Sequence, residues 1–391
     1  MQRGYLKLLC DEFHFYFAFK INYNNVDFPL PGVDPLYNCN ISETHWITAG
    51  DNQSRNYGYE YDALNRLLQA NYQKGSYAAN NYIDSHSYDE ALTYDKNGNI
   101  LTLFRTGFMD SNTSGMTYPI DALTYTYKPN SNQLQLVYDE TMSNDGFKDG
   151  YSSGEDYVYD GFGNMLQDLN KKIVAIKYNH LNLPVKIEFN GEGENRISYL
   201  YNAVGVKLGK NVISTTPQTG TVEAQTDYLN GFQYLTSPLA EGGLQFFPTA
   251  EGYVSVVDGN KFNYVYNYTD HLGNIRVSYS LDQADQQLKI LEENHYYPFG
   301  LKHSNYNEDR VQFEHDDVGI FAVLRPVEKG KYQYKYNGKE FQDELNLNLY
   351  DYGARNYDPA IGRWMNVDPL AEQTPNWSPY AFCNNNPLFF T

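Results

Sequence analysis

The sequence predicts an all-β protein: stacked antiparallel hairpins forming one large curved or spiralling sheet, with a β-rich C-terminal part. Three observations carry this expectation. Tyrosine accounts for 39 of the 391 residues, beside 21 Phe and 30 Gly, and aromatic residues punctuated by Gly and Asn turns favour strands. Tyrosine and other apolar residues recur at alternate positions, the period of a strand. A Tyr-Asp turn pattern also returns along the chain, the mark of stacked supersecondary units.

Residues 1–56 read as N-terminal strands and a loop. Aromatic residues alternate from Phe15 through Phe19, Pro29, Pro31 and Pro35 mark a loop, and Asn40 to Thr48 suggest a second strand. The apolar start is broken by Lys7, Asp11 and Glu12, so it does not make the uninterrupted segment of a signal peptide.

Residues 57–210 carry the repeat. Tyr61-Asp62 is followed by Asn65, Tyr94-Asp95 by Gly98 and Tyr159-Asp160 by Gly163. Tyr178-Asn179 with Asn182 and Tyr201-Asn202 with Gly205 match, while Tyr127 and Tyr268 fit with one extra residue. From Tyr61 to Tyr201 the successive tyrosines are 33, 33, 32, 19 and 23 residues apart. The Asp or Asn side chain can bond backbone two residues on and so start a turn. The following Gly or Asn tolerates positive φ and closes it. Leu67, Ile100 and Met165 then open the return strands. A lone hairpin cannot bury its apolar face, so hairpins side by side should build one sheet. Rows such as Tyr57/Tyr59/Tyr61, Leu123/Tyr125/Tyr127 and Tyr264/Tyr266/Tyr268 share a face. Their rings either fill a sandwich core or line something hydrated or large, because a phenol suits both.

Residues 211–261, rich in Thr, Gly and Pro, read as an irregular connector with one short hairpin in LQFFPTAEGYV. Residues 262–391 restore the pattern, with Asp270 and Gly273 in the turn positions. The stretch starting LDQADQQLKILEENHYYPFG is a short helix or an edge strand at first, and a less regular insert spans 301–330. The last part, Tyr350 to Thr391, packs Asp358-Pro359, Gly362, Arg363-Trp364 and Asp368-Pro369 into a run of turns.

Several function classes are excluded. A net charge of −19 argues against binding a nucleic-acid backbone, which takes clustered Lys and Arg. Cys10, Cys39 and Cys383 have neither zinc nor disulfide spacing. No apolar run reaches the roughly 18 residues of a membrane span. Asp270-His271 are adjacent in a turn and have no nucleophile motif beside them. The histidines have no metal-ligand spacing, and Asp95 to Asn99 lacks the closing Glu of a calcium loop. Gly161 to Gly163 form a turn, with no helix after them to make a phosphate loop. No cofactor, no metal and no enzymatic activity are expected.

The Tyr-Asp hairpins resemble the YD repeats of RHS proteins, and residues 262–391 resemble the RHS repeat-associated core domain. The strings are YNYTDHLGNIRVSYS, YYPFG, YNGKEFQDE, LYDYGARNYDPAIGRWMNVDPL and SPYAFCNNNPL, in family order. The resemblance implies a structural β-shell of a secreted or cell-surface polymorphic toxin, enclosing a C-terminal toxin as its passenger. A target-cell surface or secretion machinery would be further partners. It also implies self-cleavage by an aspartyl-type pair, with Asp368 as one carboxylate. Read without the resemblance, Asp368 is a turn former before Pro369. Pro387, Leu388, Phe389, Phe390 and Thr391 match the start of the family's cleavage signal, and the Asp due next is beyond Thr391. The expectation is therefore a truncated shell segment whose toxin and second carboxylate are missing. The alternatives are a surface module that binds glycan or protein through exposed aromatic rows, and a remnant of the processing domain.

Overall fold

The computed structural model describes residues 16–76, 81–107, 117–141, 143–150, 154–240, 242–257, 261–282, 285–304, 312–316, 319–323 and 332–390. Thr391, Phe15 and Cys10 lie outside the described residues. The first sheet has nine strands: β1 (Phe17–Asn22), β2 (Glu43–Thr48), β3 (Ser54–Tyr61), β4 (Leu67–Ser76), β5 (Asn81–Asp84), β6 (Glu90–Tyr94), β7 (Ile100–Gly107), β8 (Tyr118–Tyr127) and β9 (Leu134–Asp139). They pair antiparallel in chain order, except that β5 and β6 both pair with β4. The second sheet has thirteen, also antiparallel in chain order. These are β10 (Tyr157–Tyr159), β11 (Met165–Asp168), β12 (Ile173–Tyr178), β13 (Pro184–Phe189), β14 (Arg196–Tyr201), β15 (Lys207–Thr216), β16 (Gly220–Leu229), β17 (Phe232–Thr236), β18 (Gly243–Thr249), β19 (Gly252–Val257), β20 (Lys261–Thr269), β21 (Ile275–Leu281) and β22 (Leu288–Glu293). A separate hairpin pairs β23 (Gln312–Asp316) with β24 (Gly319–Val323). A small four-stranded sheet of β25 (Glu340–Gln342), β26 (Leu349–Asp351), β27 (Asn356–Asp358) and β28 (Arg363–Trp364) ends the chain, with short 3-10 turns around it.

The hairpin turns share one construction. Oδ1 of Asp62, Asp95, Asp160, Asn179, Asn202 and Asp270 accepts the backbone N–H groups two and four residues on, at 2.8–3.1 Å. The residue three after it (Asn65, Gly98, Gly163, Asn182, Gly205 or Gly273) takes φ between 57 and 85°. That conformation admits Gly and Asn at least cost. The register then slips at the last residue of the incoming strand, as between Thr93 and Tyr94. The slip leaves a bulge, and the next hairpin covers it. Tyr94 Oη donates to the Leu67 carbonyl, Tyr127 Oη to Ile100 and Tyr178 Oη to Met165, each at 2.6 Å. A tyrosine is used there because a phenylalanine would leave that carbonyl without this donor.

The strands form two long sheets where one was expected. The ladder breaks between Asp139 and Tyr157, and Asp156 bridges the break: its N–H donates to Gln135 O at 2.9 Å and its Oδ2 accepts from Val137 N at 3.0 Å. Residues 211–261, expected to connect or decorate, lie mostly in β15 to β20 of the second sheet. Leu288–Glu293 is a strand at that sheet's edge. The far ends of the two sheets also meet through side chains. Tyr16 stacks on Tyr279 at 5.2 Å, and Trp46 Nε1 donates to His295 Nδ1 at 2.8 Å.

One hydrophobic core joins both sheets to the terminal segment. Tyr57, Tyr72, Leu103, Leu123, Ile187 and Ile197 of the sheets pack with Tyr297, Phe299, Tyr357 and Phe382. The tyrosines before the turns, including Tyr61, Tyr94, Tyr159 and Tyr201, pack against this core.

Candidate functional site: the docked terminal segment

The carbonyl of a left-handed turn residue points away from its own ladder, so each hairpin turn offers an acceptor. The terminal segment supplies the donors. Asn386 Nδ2 reaches Asn65 O at 3.0 Å, Asn385 Nδ2 reaches Gly98 O at 2.8 Å, and Tyr380 Oη reaches Gly163 O at 2.9 Å. Asn366 Nδ2 reaches Asn182 O at 3.4 Å, and Arg363 Nη2 donates at 2.8 Å to Asn132 O, two residues past the left-handed Asn130 of its turn. Space also favours Gly at positions 98 and 163, more strongly at Gly163. An added Cβ would stand 3.0 Å from Trp377 at Gly98 and 2.5 Å from Val367 at Gly163.

Charge reinforces the docking. Arg105 is buried on β7, with Nε on Glu90 at 2.7 Å and Nη1 on Asp121 at 3.0 Å. The same guanidinium donates to the carbonyls of Pro359 and Ala360 at 3.0 and 2.8 Å. Burial opposes its charge, and the two carboxylates outweigh this and hold its pKa above the ordinary value. In the second sheet Lys207 and Lys210 reach Glu340 at 2.6 and 3.0 Å. Burial works against the Glu340 carboxylate, but Lys210 and Lys207 hold its pKa down to about 2. Asp168 behaves oppositely. Burial pushes its carboxyl up to about 7, Lys171 pulls down and Asp358 of the terminal segment adds repulsion. Lys171 Nζ pairs with Asp358 Oδ2 at 3.1 Å.

Two histidines sit where the sheet ends meet. Indole N–H only donates, so His295 Nδ1 is the acceptor from Trp46 and its Nε2 faces Glu293 Oε1 at 3.0 Å. His303 stacks on Tyr88 at 3.9 Å. Burial, with Arg276 beside His295 and with His295 itself beside His303, holds both imidazoles well below the ordinary range.

Asp368 is built as a turn and an ion pair. Its Oδ1 accepts Leu370 N at 2.8 Å and its Oδ2 meets Arg355 Nη2 at 2.8 Å. Arg355 in turn lies 4.1 Å over the Trp364 ring. Asp358 likewise caps Ala360 N at 3.0 Å, and Gly362 takes φ 65°. Of the five residues at the chain's end, Pro387 and Leu388 are buried, while Phe389 and Phe390 are exposed. Leu388 O lies 3.0 Å from His271 Nε2. Asp270, adjacent in sequence, spends its carboxylate on its own turn and on Arg276 at 3.3 Å.

The structure also gathers Asp27, Glu43 and His45, three possible metal ligands lying within 4.8 Å of one another. Glu43 accepts from Asp27 N at 2.7 Å, Phe28 N at 3.2 Å and Asn22 Nδ2 at 2.9 Å, and Lys20 pairs with Asp27. These donors make the group a clasp for the loop before β2. Arg105, Glu90, Asp121, His295 and His303 were invisible in the sequence, because their partners are far away in the chain. Among the described residues no helix is long and apolar enough to cross a membrane.

No family model matches the chain. It is 24% identical over 323 residues to salivary gland surface protein 1 of Aedes aegypti, covering 76% of this chain and 8% of that protein. It is 26% identical over 255 residues to the tRNA3(Ser)-specific nuclease WapA of Bacillus spizizenii, covering 60% of this chain and 10% of that protein. The chain thus spans about a tenth or less of the curated relatives it matches. Among solved structures, TcdB2-TccC3 superposes with a TM-score of 0.56 at 16% identity, over 96% of this chain and 18% of that chain. The Photorhabdus luminescens Tc holotoxin pore superposes with a TM-score of 0.55 at 15% identity, again over 96% and 18%. These likenesses establish a shared fold: large antiparallel sheets of the kind found in the shell of Tc toxins.

Proposed function

We propose that this chain is a non-enzymatic shell segment of an RHS-type polymorphic toxin, made to enclose polypeptide that follows it. The observation that carries the reading is the use of the hairpin turns. Five turn carbonyls, spread from Asn65 to Asn182, bind donors of one C-terminal segment. A sheet whose turns hold its own C-terminal end is suited to organising what comes next. The enclosed partner in this reading is a toxin passenger, and the location is secreted or cell-surface. Asp368 serves the docking as a turn and an Arg355 partner. As a processing carboxylate it would need a second carboxylate from later sequence.

The test is protease protection. The chain is expressed with its natural downstream sequence, or with a small reporter protein after Thr391, and challenged with a broad protease. Enclosure predicts that the downstream polypeptide survives while the sheets are folded and is digested once denaturant opens them. Digestion at the rate of the free reporter, with the sheets intact, counts against it. If Asp368→Asn leaves cleavage of the extended chain unchanged, the processing role is lost and the shell reading stands.

A second reading, a surface-binding module, is favoured by one observation: Phe262, Tyr264 and Tyr266 line one side of β20 with exposures of 49, 58 and 39%. Selective binding on a glycan array, lost in Tyr264→Ala, would support it.

A further inference from the structure

We propose that Asn22, Asp27, Glu43 and His45 form a zinc site that fastens the loop between the first two strands. β1 and β2 pair antiparallel, with Asn22 opposite Glu43 and Lys20 opposite His45. Residues two apart on a strand share a face, so Lys20, Asn22, Glu43 and His45 stand together on one side of this hairpin. The connecting loop folds Asp27 onto the same side. Asp27 N and Phe28 N donate to Glu43 Oε2 and Oε1 at 2.7 and 3.2 Å, which fixes the carboxylate in place. Asn22, Glu43 and His45 are buried, whereas Asp27 and Lys20 keep 25 and 27% of their side chains exposed and form the way in.

The spacing is that of metal ligands. His45 Nε2 lies 3.3 Å from Glu43 Oε2 and 3.9 Å from Asp27 Oδ2. The Asn22 amide lies 2.9 Å from the same Glu43 oxygen and 3.4 Å from the same His45 nitrogen. Ligands held about 2.0–2.2 Å from a tetrahedral zinc ion stand about 3.3–3.6 Å apart, so these four groups are already close to the corners of such a tetrahedron. Imidazole and two carboxylates supply three donors, and a half-turn of the Asn22 amide presents Oδ1 as the fourth. The imidazole selects the metal: calcium and magnesium take shells of oxygen, while imidazole suits zinc. Charge agrees. Two carboxylates cancel a dipositive ion, so the ion can be buried where a lone charge could not. Lys20, the ion-pair partner of Asp27, is the built-in competitor, and zinc releases it to solvent. The same loop carries Asn40, whose Oδ1 accepts from Asn386 Nδ2 at 3.0 Å, so the ion also steadies one contact of the docked terminal segment. This inference does not rest on the shell reading.

The experiment is a calorimetric zinc titration of the whole chain, free of affinity tags, with cobalt(II) as the spectroscopic probe. The expected result is one-to-one binding with a Kd of about a micromolar, a melting temperature raised by zinc, and with cobalt the intense visible bands of tetrahedral coordination. His45→Gln should abolish binding and Asp27→Asn weaken it about tenfold, while Lys20→Met, by removing the competitor, should tighten it about tenfold. Asp27 and Lys20 are partly exposed, so their variants remain informative even if the buried His45→Gln change prevents folding. No saturable zinc binding up to about 100 μM overturns the proposal. So does an affinity that neither Asp27→Asn nor Lys20→Met alters, or the weak cobalt bands of an octahedral site.

Discussion

Two rows of tyrosine, alike in sequence, have opposite fates. β3 carries Tyr57, Tyr59 and Tyr61, and β20 carries Tyr264, Tyr266 and Tyr268. Tyr57 and Tyr59 are each 3% exposed, whereas Tyr264, Tyr266 and Tyr268 are 58, 39 and 37% exposed. The difference is one residue of phase. In the first sheet the residue just before the turn Asp packs against the core, and Tyr61 holds that position. In β20 the position belongs to Thr269, so the tyrosines stand one residue earlier and face the other side. The side in phase with the turn carries Val265, which packs with Phe246 and Tyr253 under Tyr332 and Tyr334. Spacing makes a row of rings, and the distance from the turn decides whether it is covered.

The strongest challenge to the covered region is Arg105→Met. It leaves Glu90 and Asp121 buried with no counter-charge, and should cost about 3–5 kcal/mol in denaturant unfolding. A loss under about 1 kcal/mol would show that the terminal segment does not depend on this anchor. Next is a matched pair. Tyr59→Ala should cost about 3–5 kcal/mol by emptying the core, and Tyr266→Ala less than about 1 kcal/mol. Equal losses would break the comparison between the two rows.

The third prediction uses pH. The folded Asp168 carboxyl titrates near 7, above its unfolded value. Its contribution therefore favours the fold at low pH and is lost as pH rises through 7. His295 and His303 act in the other sense, since their stabilising neutrality is lost as pH falls below the ordinary imidazole range. The two effects oppose each other in the parent chain, so the informative quantity is a difference. Asp168→Asn should gain on the parent by on the order of 2 kcal/mol between pH 5 and pH 8. A flat difference across that range would remove Asp168 from the account. The smallest effect is a single hydroxyl. Tyr94→Phe loses its bond to Leu67 O and should cost about 1 kcal/mol. Tyr264→Phe, on the bare face, should be neutral in the same melting experiment.

The hairpins were legible because their chemistry is local. Asp95, Gly98 and Asn99 sit within five residues, and each has a turn role that its side chain announces. The docking was not legible. Asn385 and its acceptor Gly98 are 287 residues apart, and Arg105 and Pro359 are 254 apart. The strands of 211–261 lack the Tyr-Asp turn that marks the other hairpins, yet antiparallel pairing needs no such motif. Val212↔Ala224 and Tyr253↔Val265 simply extend the ladder. For Asp368, the sequence named the residue and the fold supplied Arg355, thirteen positions earlier, as its partner. The tyrosine rows had two open readings, core filler or an open face, and the structure has buried rings in β3 and exposed rings on β20.

The central claim is that the terminal segment is part of the folded sheets, held at their turns. Native-state hydrogen exchange tests it most directly. The account predicts that the amides of Trp364, Met365 and Asp368, which bond to Tyr380, Asn356 and Pro379 carbonyls, open with the sheet strands. Their opening free energies should match those of Leu92 and Leu103 in β6 and β7 within about 1 kcal/mol. Exchange of those amides at nearly unfolded rates, while Leu92 and Leu103 stay protected, would contradict it.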